Sequence, residues 1–216
     1  MTTDDTTRDD AVPDDVATDS DSDTTAIEDG SAAADELSSL ADLTAQEASA
    51  FLTAITEVAS GNSPDTAIPL LTLALSQILV AGARLGAIQD VVLLERYEAD
   101  PGPDDDPDPL RDGLANLLTG IDDYVYVVDP VTSPERVGGS ITNDLADIAL
   151  ALTHGLKHYA NGRTVEALWW WQFSYLSSWG DRALASMRAL HSILSHLRLD
   201  ADDERVAEAE FDALHP

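Results

Sequence analysis

The last third of the chain carries the strongest constraint. From Arg163 to Leu197, Val165, Leu168, Trp169, Gln172, Leu176, Trp179, Ala183, Met187, Leu190, Leu194 and Leu197 return mostly every three or four residues. Only an α-helix keeps such positions on one side. About 35 residues at 1.5 Å each predict a rod of roughly 50 Å, long enough to be the spine of a domain. Gly180, inside the rod, marks a place where a large ring or another backbone comes close.

Four more segments are predicted to be helical. Thr44-Ala45-Gln46-Glu47 reads as a capping box, with Ala48, Phe51, Leu52, Ile55 and Val58 following at helical spacing until Gly61-Asn62. After Ser63-Pro64-Asp65, the stretch from Thr66 to Ala83 carries no charge. Its Thr72, Ser76 and Gln77, the early Pro69 and the adjoining Arg84 favour a buried bundle helix over a membrane span, and such a helix wants neighbours all round. Leu110 to Leu118 is a short helix, and Ser140 or Thr142 caps a longer one that runs to Tyr159 before Asn161-Gly162. The prolines of residues 99–109 forbid a helix and leave a solvated acidic loop, while Tyr124-Val125-Tyr126-Val127-Val128 is β-prone and reads as an extended segment on the bundle. The expected fold is all-α, a bundle of about five helices with a long C-terminal spine helix.

Asn143-Asp144-Leu145-Ala146-Asp147-Ile148, Gly155-Leu156, Tyr159, Glu166-Ala167-Leu168-Trp169, Trp171, Phe173, Trp179-Gly180 and Arg188-Ala189-Leu190-His191 together form a pattern. In it the chain resembles a bacterial family, domain of unknown function 5063. The resemblance is best over residues 140–195 and extends back to about residue 43. Two positions depart from the family pattern: Trp170, which is usually polar there, and Ser178, which is often His. The resemblance implies an all-helical domain and no particular reaction.

Charge then divides the chain. It carries 41 Asp+Glu against 11 Lys+Arg, a formal charge of -30, and no Cys. Residues 1–42 contribute -13 and residues 200–216 contribute -6, leaving -11 for residues 43–199. The first segment has no aromatic residue and is rich in Asp, Thr, Ser and Ala, too little apolar surface to offset chain entropy of about 1–2 kcal/mol per residue. The expected organisation is a disordered acidic tail (1–42), a helical bundle domain (43–199) and an acidic C-terminal tail that includes at most a short helix (200–216). A polyanion gains nothing from counterion release, which argues against direct nucleic-acid binding. Without Cys there is no disulfide framework and no thiolate ligand or nucleophile. Met1-Thr2-Thr3-Asp4-Asp5 is unlike a signal peptide, and a cytoplasmic location is expected.

No Gly-rich phosphate loop, nucleophile elbow, His-Glu-x-x-His or Glu-x-x-His pair is found. Asp147, His154 and His158 fall within about 40° of one another on a helical wheel, so the two imidazoles and the carboxylate suit one divalent metal. That arc lies about 140° from the apolar face, and it points to solvent unless another element covers it. Asp144 and Asp147 sit where the helix dipole favours carboxylates, and acid–base work would need one of them raised in a cleft. His191 lies at the edge of the final stripe, as a hydrogen-bonded core-edge histidine or a ligand. Trp169 and Trp179 are expected in the core. Trp170 points the other way and Trp171 lies at the opposite edge; with Arg182 and Arg188 they are candidates for contact with a partner, a second subunit or another part of the chain, the competing reading being burial under loop 99–109 or segment 122–130.

The leading expectation is a non-enzymatic helical protein-interaction module with acidic arms, without a cofactor, meeting an unknown protein, a basic one among the candidates, and no membrane. The alternative is a metal- or small-ligand-binding helical domain, even an enzyme, using Asp144, Asp147, His154, His158 or His191. A lesser one is an acidic nucleic-acid mimic that holds a basic protein.

Overall fold

The structure is a computed structural model and describes residues 21–199. Residues 1–20 and 200–216 lie outside the described residues, and with them the expected C-terminal tail and the first part of the expected N-terminal tail (1–42), whose residues 21–42 belong to a helix. The chain divides into two units. The described part of the first, up to Leu37, is the start of helix α1 (Asp21–Ala59); the second begins at Ser38 and holds everything that follows.

Helix α1 extends well upstream of its expected start. Thr44 lies inside it, its hydroxyl donating to the Leu40 carbonyl at 2.7 Å, and Ala41 is already fully buried. Ala32-Ala33-Ala34-Asp35-Glu36-Leu37 is dominated by strong helix formers, so the capping box at Thr44 is overridden and the folded part begins before residue 43. Ala48, Phe51 and Ile55 then face the core. A turn at Pro64–Thr66 leads into α2 (Ala67–Ala87), which buries Leu71, Leu75, Ile78 and Leu85. It does not have neighbours all round, because Leu70, Leu73 and Val80 remain exposed. Among the described residues it is the one helix long and apolar enough to cross a membrane, and its Leu71–Leu85 face lies in the core.

Loop 88–107 leads to α3 (Asp108–Leu117) and a hairpin, β1 (Asp123–Asp129) and β2 (Ser133–Ser140), antiparallel with Tyr126 opposite Val137. The β-prone segment is a strand, as its composition suggested. Its partner was not legible, since Pro134, Gly138 and Gly139 are poor strand residues. Gly139 has a local reason to be glycine: a Cβ there would lie 2.5 Å from Cζ of the cross-strand Tyr124. Strand β2 runs straight into α4 (Ile141–Ala160), capped by Ser140, whose Oγ accepts from the Asn143 N–H at 3.2 Å.

The expected spine is one helical path in three pieces: α5 (Thr164–Ser174), a π turn (Tyr175–Trp179) and α6 (Gly180–Leu199). The wide turn turns the faces relative to an unbroken helix, so Leu176 is 63% exposed while Trp179, Ala183 and Leu190 are buried. The π turn sits where the Tyr175 ring lies on α2; a Cβ at Gly82 would come 2.4 Å from Tyr175 Cε2. Gly180 is the close-approach position expected of it, because a Cβ there would meet the Tyr175 carbonyl oxygen at 2.5 Å. Helix α5 packs on α4 and α2 together, so it is buried over a wide arc. The fold is an all-α bundle with one small hairpin.

Candidate functional site

Two polar clusters grow from opposite parts of α4. The first is at its N-terminus, where Asp122 receives the helix start: its side chain accepts from the Thr142 N–H at 2.7 Å and from Ser140 Oγ at 2.6 Å. One turn on, Asp144 is buried, with both carboxylate oxygens engaged. Oδ2 accepts from the Tyr124 hydroxyl and from Ser186 Oγ at 2.8 Å, and Oδ1 accepts from Arg182 at 3.1 Å. Arg182 also reaches Asp147 at 3.3 Å, and Arg111 joins Asp147 at 3.5 Å to Asp108 at 3.2 Å. Arg182 thus pairs with the two acids at the helix start. Arg188 is exposed and lines a groove between α6 and the hairpin with Arg136 and Leu184. With both oxygens of Asp144 occupied by the chain's own donors, the cluster ties the hairpin, α4 and α6 together rather than offering a free base.

Burial, and then the hydrogen bond to Asp144, raise the Tyr124 phenol well above the usual tyrosine range. Its folded value therefore exceeds its unfolded one, so its contribution to stability is complete below about pH 10 and is lost as pH rises beyond that. Melting temperatures are expected to drop above about pH 10, and Tyr124→Phe is expected to flatten that drop. An unchanged alkaline slope in the variant would assign it to other groups.

The second cluster is on the far half of α4. Loop 88–107 is not simply a solvated loop. Its acids other than Glu98 are exposed, but its backbone is held at several points: Val91 N–H donates to Gln172 Oε1 at 2.7 Å, Gln172 Nε2 to the Leu85 and Gln89 carbonyls at 2.9 and 3.2 Å, and Arg163 to the Asp100 carbonyl at 3.2 Å. Lys157 pairs with Asp105 at 2.8 Å and also donates to the Pro103 carbonyl. This anchoring brings Glu98 onto the histidine arc that the helical wheel turned outward. His154 Nε2 and His158 Nε2 lie 2.6 and 2.7 Å from the same Glu98 Oε1. His158 is fully buried, and its Nδ1 has no hydrogen-bond partner. Asp147 is not part of this group, being engaged by Arg111 and Arg182.

The tryptophans complete the picture. Trp170 is half-buried, stacked on His154 with ring centroids 3.8 Å apart, and its Nε1 donates to the Ala151 carbonyl at 2.8 Å. It walls a cleft of about 480 Å³ with Asp104, Asp105, His154 and Lys157, so loop 99–109 borders the half-buried ring, where one reading of the sequence had it buried under that loop. Trp171 is not an edge residue: it is fully buried, donates to the Leu152 carbonyl at 3.1 Å and fits the space left by Gly155. Its burial follows from α5 having neighbours on two sides. Trp169 is only partly buried and stacks on the exposed Phe173. His191 is exposed on α6, neither in the core edge nor in either cluster. Glu98, Tyr124, Ser186 and Arg111 were invisible to sequence reasoning, since nothing in their local pattern points to the partners they meet.

The comparisons with known proteins agree with this fold. A family model described as domain of unknown function (DUF5063) matches residues 35–196. The chain is similar in structure to the crystal structure of protein BF1032 from Bacteroides fragilis, at TM-score 0.56 and 18% identity, over 74% of this chain and 92% of that one. No curated protein matches the sequence.

Proposed function

The chain belongs to the DUF5063 family, and on that premise we propose that it is a non-enzymatic protein-interaction module whose contact element is loop 88–107. One observation carries the reading. A loop anchored at both ends and in its middle presents Val92, Leu94 and Tyr97 to solvent, at 75%, 95% and 73% exposure. Immediately after them come Asp100, Asp104, Asp105 and Asp106, all exposed. Covering each large apolar side chain is worth about 1.5–3 kcal/mol, so the three together supply a useful fraction of a binding energy. The matching partner is a protein surface with an apolar pocket beside basic residues. The net charge of -30 favours its approach and repels acidic competitors.

The test is a photo-crosslinking residue placed at Leu94 in the full chain, compared with the same residue at Val131, which is equally exposed on the hairpin turn. In extracts of the source cells, position 94 is expected to yield a discrete adduct that weakens with added salt, and position 131 none. Leu94→Ser should weaken capture about tenfold. Adducts at both positions alike, or at neither, refute the reading. A partner released by competing DNA would instead favour nucleic-acid mimicry.

A further inference from the structure

Three ligand-type atoms converge in the second cluster: Glu98 Oε1, His154 Nε2 and His158 Nε2 all lie within 4.8 Å of one another. They come from two elements far apart in sequence, and each is aimed by other contacts. Helix α4 sets the two imidazoles one turn apart, so their Nε2 atoms face the same point. Trp170 stacks on the His154 ring at an interplanar angle of 27° and restricts its orientation. Among the described residues the Nδ1 of His158 has no partner, which leaves the Nε2 contact as the one polar interaction found for this fully buried imidazole. Glu98 is supplied by a loop pinned on both sides of it.

We propose that Glu98, His154 and His158 form a three-ligand site for one divalent transition ion of the zinc class, with a further coordination position open to the cleft beside Trp170. Two imidazoles and one carboxylate suit a borderline ion such as Zn²⁺, whereas Ca²⁺ and Mg²⁺ require a cage of oxygens. Ligands about 2.0–2.2 Å from a tetrahedral ion stand about 3.3–3.6 Å apart, so Glu98 retreats by about 0.6–1 Å from the two rings when the ion replaces their shared contact. Glu98 is partly exposed and belongs to a loop, so it is the ligand best able to move. His154 is partly exposed on the cleft side while His158 closes the inner side. The arrangement of three protein ligands and an accessible position is that of a site able to take an exchangeable fourth ligand. The site goes beyond the proposed interaction and does not depend on it.

Zinc titration of the full chain by calorimetry, in a large excess of Mg²⁺ that saturates the many exposed carboxylates, tests the site. One ion per chain is expected, and Co²⁺ should give the ligand-field absorption of a low-symmetry site containing nitrogen ligands. Glu98→Gln and His154→Ala should each weaken binding about tenfold or more, and His191→Ala should leave it unchanged. Both site variants alter partly exposed residues, and circular dichroism is to check that they remain folded. No stoichiometric binding in excess Mg²⁺, or an affinity that Glu98→Gln and His154→Ala leave unaltered, overturns the proposal.

Discussion

Trp171→Ala is expected to lower the unfolding free energy by about 3–5 kcal/mol, the range for emptying a large buried aromatic site. The ring is fully buried between α4 and α5, and its Nε1 donates to the Leu152 carbonyl. At Gly155 an added Cβ would fall 2.1 Å from Trp171 Nε1 and 2.4 Å from Cε2. Gly155→Ala should therefore cost about 1–3 kcal/mol through overpacking, although alanine is the better helix former by about 1 kcal/mol. The two effects are coupled. In the Trp171→Ala background the clash is gone, and Gly155→Ala is expected to become neutral or stabilising. Denaturant unfolding of the four proteins in this cycle checks the argument. A Gly155→Ala cost that is the same with and without the indole would show that the ring does not set it.

Asp144→Ala is the second large effect, about 3 kcal/mol, or a melting temperature lower by about 6–12 °C in a chain of this size. Most of the cost falls on the donors left behind. Ser186 is fully buried and loses its acceptor, and Tyr124 is held over Gly139 with its hydroxyl aimed at the same oxygen. Arg182 contributes less, since its side chain is 40% exposed and water screens its pairing. Asp144→Asn retains one acceptor and should cost about half as much. If the alanine variant unfolds within 1 kcal/mol of the parent, the cluster is not the tie between hairpin, α4 and α6 that its geometry describes.

The legibility of the two clusters follows from how far apart their members are. Arg182, read from the sequence as a candidate for contact with a partner, instead pairs with both Asp144 and Asp147 across the fold. The alignment of His154 and His158 was readable from a four-residue spacing along one helix. Glu98 was not, because it lies 56 and 60 residues away in a stretch without periodicity. The same wheel that turned Trp170 away from the stripe placed Trp171 at an edge, and packing decided otherwise. A wheel assumes a helix with one buried face, whereas α5 has two neighbours. The π turn shows another limit: a 3.6-residue period carried through Tyr175–Trp179 misplaced Leu176.

By itself the sequence determined the all-helical class, the C-terminal spine, a helix start at Ser140 or Thr142, the turn at Asn161-Gly162 and the acidity of the chain. Each depends on residues within a turn or two of one another, where periodicity, capping and chain entropy act directly. Only the tertiary structure decided which polar groups meet: Glu98 with the two histidines, Asp144 with Tyr124 and Ser186, and Ser133–Ser140 as partner of the β-prone strand. Such pairings depend on where helices packed by apolar area bring distant segments, and non-directional burial leaves no local mark on the residues it brings together.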